Sequence, residues 1–440
     1  MPKIAFLGAG STVFARNVLG DCMSGKVLEE SEIALYDIDA ERLRESGRIL
    51  AAINKGKGGH SKISGFAGIE NLENALRGAS FVVNAVQVGG FDPCTITDFE
   101  IPKKYGLRQT IGDTLGIGGI MRALRTIPVM EVFARAMEKV CPDAWLLNYT
   151  NPMSILSGFM QRYTGIKTVG LCHSVQVCSE HLLESLDMKD KIEGRRELIA
   201  GINHMAWLLD IRDKDNNDLY PEIRRRAKAK NAAGKHWDMV RYDYIDRLGY
   251  YCTESSEHNA EYNPFYIKGK YPELIDRFNI PLDEYPRRCI EQIEGWKLEY
   301  ESLANQDTLE HKRSNEYASH IMEAIVTGSP YKIGGNVLNT GSLIENLSSD
   351  SCVEVPCLVD GSGVSPCRAG KLPVQLAAMN MTNINVHLIT IEAAVTKKRE
   401  HIYHAAMLDP HTAAELSPDH IRAMVDELIE AHGNWLPEYT

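Results

Sequence analysis

The 440-residue chain is 44% hydrophobic and 24% charged, and its 48 basic against 59 acidic residues give a formal net charge of −11. This is the composition of a globular protein too long for one ordinary core, and it excludes a basic nucleic-acid groove or an anionic membrane surface as partner. No apolar run approaches the roughly 20 residues of a bilayer span. No signal-peptide pattern precedes the first strand, and the ten cysteines contain no CxxC pair, so a cytoplasmic, reducing setting is expected.

Lys3 to Leu7 is a short apolar strand that runs into Gly8-Ala9-Gly10-Ser11-Thr12-Val13 and a helix beginning near Phe14. A glycine turn between strand and helix lets a pyrophosphate approach the backbone, where the helix N-terminus offers free N–H groups. Val13 stands where the usual fingerprint has a third glycine. The next strand, Ile33 to Tyr36, ends in Asp37. A carboxylate there accepts hydrogen bonds from a ribose diol and repels a 2′-phosphate, which favours NAD over NADP. Further strands are expected at Phe81–Val86, Ala144–Leu147 and Lys167–Leu171, with helices between them. This alternation predicts an α/β fold whose N-terminal part is a Rossmann-like, doubly wound parallel sheet. Ligands bind beyond the carboxyl ends of such strands. Those ends carry Asn84 to Gly90, Asn148-Tyr149-Thr150-Asn151-Pro152 and Cys172-His173-Ser174-Val175. Gly8, Ala9, Gly10, Ser11, Thr12, Asp37 and Asn84 form the expected cofactor-binding set.

From about Asp190 the alternation lapses. Gly201 to Asp210 has the pattern of a turn feeding a strand, and Arg224 to Lys230 is a basic run on a helix. The segment Gly249 to His258 is dense in groups that move protons or bind hydroxyls, and helices are expected at Glu291–Ala304, Asn315–Val326 and His411–His432. The chain therefore divides into a dinucleotide-binding lobe over residues 1–190 and a mixed α+β lobe over 191–440 for substrate, metal and oligomerisation.

Gly8-Ala9-Gly10-Ser11, the loop Gly112-Asp113-Thr114-Leu115-Gly116-Ile117-Gly118-Gly119, Asn148 to Pro152, Cys172 to Val175 and Gly201-Ile202-Asn203-His204 together resemble glycoside hydrolase family 4. The resemblance extends to Asn383-Ile384-Asn385-Val386 and His432 to Pro437. These are NAD- and metal-dependent glycosidases outside the two-carboxylate scheme. Within the family, Cys-His-Ser-Val resembles the melibiase-type α-galactosidases, which implies a free rather than a phosphorylated sugar.

The resemblance implies a redox-assisted cleavage: NAD takes the C3 hydride, the ketone acidifies the C2 proton, loss of that proton expels the C1 substituent, water adds and the hydride returns. It implies Cys172 and His204 as ligands of a divalent ion, usually manganese(II), that polarises the C3 oxygen. A thiolate ligand makes activity dependent on a reductant. The family's C2 base is a tyrosine of the second lobe, here Tyr250 or its neighbour Tyr251. The acid is His173, which stands where some members have aspartate, or Asp113. Asn151 is expected to hold sugar hydroxyls. A homodimer or homotetramer is implied as well. Three other readings compete: a uronic-acid-specific glycosidase of the same mechanism, with Arg287 or Arg288 for the carboxylate, a hydroxy-acid dehydrogenase sharing the dinucleotide lobe, and a non-catalytic, NAD-sensing sugar-binding protein that would not need Cys172, His204 and Tyr250 together.

Overall fold

The computed structural model describes residues 1–303 and 305–440. Twelve strands form one continuous sheet: β1 (Lys3–Leu7), β2 (Glu32–Asp37), β3 (Lys62–Ala67), β4 (Phe81–Asn84), β5 (Trp145–Asn148), β6 (Lys167–Gly170), β7 (Arg196–Ile202), β8 (Met205–Arg212), β9 (Tyr251–Cys252), β10 (Tyr331–Leu338), β11 (Cys352–Asp360) and β12 (Gly363–Pro366). The first six run parallel in the order β3-β2-β1-β4-β5-β6. Order reverses between β1 and β4, and the crevice beyond their carboxyl ends is where such sheets bind a dinucleotide.

The parallel strands are buried on both faces, as crossover helices require. Alternate side chains separate cleanly: Ile4, Phe6, Ile33, Leu35, Phe81 and Val83 enter one core, whereas Ala5, Leu7, Ala34, Tyr36 and Val82 enter the other. Each large apolar side chain so buried stabilises the fold by about 1.5–3 kcal/mol.

The second half does not start a new sheet. β10 joins the edge of β6 antiparallel through Asn336 and Gly170, β11 pairs with β10, and β7, β8 and β9 continue antiparallel beyond it. Some helices fall differently from expectation. The Glu291–Ala304 helix begins earlier, at Glu284, and is described to Leu303; Ala304 lies outside the described residues. The His411–His432 helix is two helices, Pro410–Glu415 and Pro418–His432, because Pro418 supplies a first-turn proline behind a Ser417 cap that accepts from the His420 N–H. Among the described residues, no helix is long and apolar enough to cross a membrane.

Candidate active site

A cavity of about 590 Å³ opens at the carboxyl ends of β1, β4, β5 and β6. Ser11, Phe14 and Ala85 to Val88 line its side next to the glycine turn. Asp113, Arg122, Asn151, Cys172, His173, His204, Glu254, His258 and Tyr285 line the remainder, along with Trp237 and Arg241.

Backbone geometry makes the glycine turn. Gly8 has φ +86°, and a Cβ there would lie 2.9 Å from the Ala85 carbonyl. A Cβ on Gly10 would lie 2.7 Å from Asp37 Oδ2, which accepts the Gly10 N–H at 2.6 Å. No side chain fits at either close approach, and the tight turn leads into the N-terminus of the helix Thr12–Ser24, whose Ser11 cap makes no side-chain hydrogen bond to it. These features fit a dinucleotide phosphate and a ribose-binding carboxylate.

Two of the expected cofactor residues stand one layer back. The Thr12 hydroxyl bonds Ser46 Oγ, which itself donates to the Ala9 carbonyl, so this side chain fastens the turn. Asn84 is fully buried and donates to Asn148 Oδ1 and Thr150 Oγ1, so its side chain ties the ends of β4 and β5 together instead of reaching the cavity.

Opposite chemistry gathers around His204. Donor atoms of Cys172, His204 and Glu254 lie within 4.8 Å of one another, as do those of Asp113, His204 and His258. A thiolate, an imidazole and a carboxylate form a donor set that fits a divalent transition metal. Sequence and sheet supply them separately: Cys172 follows β6, His204 sits in the turn between β7 and β8, and Glu254 and His258 follow β9. Burial works against the charge on His204, but Cys172, Glu254 and Asp113 raise its pKa to about 10. Glu254 is held down at about 2 because His258, His204 and Arg241 outweigh its burial. Burial and the His204 charge keep His258 below the ordinary imidazole value despite the nearby carboxylates. The site therefore combines an ionised Glu254 with a neutral His258.

Asp113 lies 3.5 Å from Arg122 and 4.0 Å from His258 Nε2, and it accepts from Asn151 Nδ2 at 3.2 Å. The Arg122 guanidinium foremost, helped by the Thr114 hydroxyl bond, overcomes burial and keeps it ionised. Asn151 Oδ1 is a buried acceptor without a hydrogen-bond partner. His173 pairs with Glu316 at 2.6 Å, and that hydrogen bond prevails over burial to raise its pKa.

Glu261 organises the loop that carries Asp113. Its carboxylate accepts the N–H groups of Thr110 at 2.7 Å, Ile111 at 3.3 Å and Gly112 at 2.8 Å. It shares the helix Ser256–Glu261 with His258, so one short helix fixes both Asp113 and His258.

The expected tyrosine base is corrected by this geometry. Tyr250 packs edge-on against Tyr220, 5.7 Å between ring centroids, and does not line the cavity. Tyr251 is fully buried, with its hydroxyl donated to Asp238 at 2.6 Å. Pairing with β8 turns this side chain into the core behind the cavity. The nearby titratable groups that do face the cavity are Glu254 and His258, both inside the proton-rich segment Gly249 to His258, where no spacing rule picks out either one. Arg122 and Tyr285 fall outside every motif read from the sequence. Arg287 and Arg288 do not line the cavity either; Glu284, Glu291 and Glu257 already neutralise them.

The chain matches the model of family 4 glycosyl hydrolases over residues 3–188 and that family's C-terminal domain over 199–412. It is 58% identical to the alpha-galactosidase of Bacillus subtilis (strain 168), with all of both chains covered. Its structure resembles that of the Bacillus subtilis protein lplD, at TM-score 0.87 and 25% identity over 97% of this chain and 99% of that one. A 6-phospho-alpha-glucosidase from gut microorganisms, crystallised in complex with NAD and Mn2+, shares the fold at TM-score 0.81 and 20% identity, with 100% of both chains covered. A dinucleotide turn and a cysteine–histidine–carboxylate cluster opening into one cavity thus accompany whole-chain similarity, and the chain belongs to glycosyl hydrolase family 4.

Proposed function

We propose that this protein hydrolyses small α-galactosides such as melibiose, with NAD and a divalent metal, Mn2+ foremost, as cofactors. The observation that carries the reading is the meeting of Cys172, His204 and Glu254 with the glycine-turn side of the same cavity. The 58% identity to an alpha-galactosidase supports the choice of sugar.

Gly8, Ala9, Gly10 and Ser11 would hold the dinucleotide phosphates, and Asp37 the ribose. Cys172, His204 and Glu254 would hold the metal. When bound, NAD supplies a reversible hydride acceptor and the metal supplies polarisation of a sugar oxygen.

The chain's own residues divide the proton work. His258 Nε2 faces Asp113 across the cavity while Nδ1 meets Ser255 Oγ at 2.6 Å. A neutral imidazole so oriented can accept the sugar C2 proton. His173, whose pKa Glu316 raises above the ordinary imidazole value, can donate to the departing oxygen; Asp113, kept ionised, cannot. Asp113 instead orients Asn151, whose free Oδ1 accepts a sugar hydroxyl.

A dinucleotide lobe over 1–190 and a substrate lobe over 191–440 suit this division, as do a homodimeric or tetrameric assembly and a cytoplasmic setting. All ten cysteines are free, consistent with a reducing compartment. A uronide-specific reading draws on Arg122, a buried cation lining the cavity.

The test is release of p-nitrophenol from its α-galactoside with and without NAD, Mn2+ and dithiothreitol, the matching α-galacturonide serving as rival substrate. Turnover of the galactoside that requires all three additions is expected. Turnover indifferent to them, or confined to the galacturonide, contradicts the reading.

A further inference from the structure

The cavity is longer than the cluster around His204 requires. The helix His173–Ser185 begins at Cys172, and His173, Ser174, Val177, Cys178 and His181 all line the cavity. Those positions recur at helical spacing, so one face of the helix forms a wall that rises about 12 Å from His173 to His181. Arg241 lines the same cavity and is the foremost charge acting on Cys178, beyond the first turn of this wall.

Trp237 also lines the cavity, and it is 50% exposed. An isolated exposed indole is ordinary on a protein surface. This one is braced. The Arg241 guanidinium lies 5.2 Å from the Trp237 ring and 4.4 Å from the ring of buried Tyr251. Asp238, the next residue, is 1% exposed and accepts from Arg241 Nε at 2.5 Å, Tyr251 Oη at 2.6 Å and Ser256 Oγ at 2.8 Å. A rigid ring with a fixed backbone loses little conformational freedom on binding. Its open side presents an apolar, electron-rich surface, which the C–H face of a sugar ring complements while its hydroxyls remain free for polar groups such as His181.

We propose that Trp237 is the stacking platform for the leaving-group sugar, in a subsite along the wall beyond the reacting ring. This rests on the galactosidase reading above, and it gives Tyr251 a role: through Asp238 and Arg241 it positions the platform.

The experiment measures kcat/KM for melibiose and for α-galactosyl fluoride, whose leaving group is too small to reach Trp237, in the wild type, W237A and W237F. W237A is expected to lose roughly tenfold or more on melibiose, mostly through KM, and no more than about twofold on the fluoride. W237F, which retains an aromatic face, recovers most of the melibiose loss. Equal loss on both substrates, or loss on neither, overturns the platform while leaving the galactosidase reading intact. A wild type that cleaves neither substrate overturns both.

Discussion

The parallel and antiparallel halves of the sheet do different work with different materials. The parallel half, β1 to β6, builds the cofactor end largely from backbone, a glycine turn, a helix N-terminus and strand ends whose geometry follows from the fold, and adds Cys172 and Asn151 at its strand ends. The antiparallel half contributes side chains from distant parts of the sequence. His204, Trp237, Glu254 and His258 reach one cavity only because β7, β8 and β9 pair in register. Binding the cofactor is therefore robust to most side-chain changes, whereas the chemistry hangs on single residues.

Substitutions at the junction should break this division most strongly. C172S and H204A are expected to lower kcat by roughly 10³-fold or more, since metal sites lose polarisation of the reacting oxygen with any ligand. Electron paramagnetic resonance should show lost Mn2+ binding, and fluorescence titration should show NAD binding retained. Retained Mn2+ binding in both variants would move the metal away from this cluster.

His258 and Tyr250 sharpen the comparison within the antiparallel half. H258A should lose roughly 10²–10³-fold in kcat, the scale of a general base, and Y250F should stay within about twofold because its ring only packs on Tyr220. Rates reversed between these two variants would restore the tyrosine.

On the parallel side, D37A should weaken NAD roughly tenfold while sparing kcat at saturating cofactor. A kcat collapse with unchanged NAD affinity would assign Asp37 to the chemistry instead.

The smallest effect is on stability. Burial outweighs the amide donors around Glu261 and raises its pKa from 4.5 to about 7. The folded chain then holds a proton that the unfolded chain has released, so this group's contribution is full below about 4.5 and is lost as the pH rises through about 7. Urea unfolding should show the wild type losing about 1–3 kcal/mol relative to E261Q between pH 4.5 and 8. A difference that does not vary with pH would mean Glu261 is ionised throughout.

The same contrast explains what the sequence made legible. β1, β2 and β4 to β6 follow from apolar runs bounded by turn residues, and their end residues include Cys172 and Asn151. β10, with Gly334-Gly335-Asn336, and β11, with Glu354 and Pro356, carry no such signature. They hold because Asn336 donates to the buried Glu354 and the strand finds an edge at β6, contacts that appear only once the chain has folded. His258 was hidden for a related reason: its role depends on facing Asp113, 145 positions earlier, across a loop that Glu261 holds. Tyr250 had the expected side chain, but just ahead of β9 it packs against Tyr220 and away from the cavity.

If the two halves of the sheet meet to cleave a galactosidic bond through removal of the C2 proton, hydrolysis of melibiose in D2O, followed by NMR of the galactose released, reads that step directly. Deuterium is expected at C2, because the proton taken by His258 exchanges with solvent before one is returned. Galactose released with its C2 hydrogen fully retained would contradict it and indicate direct displacement at C1.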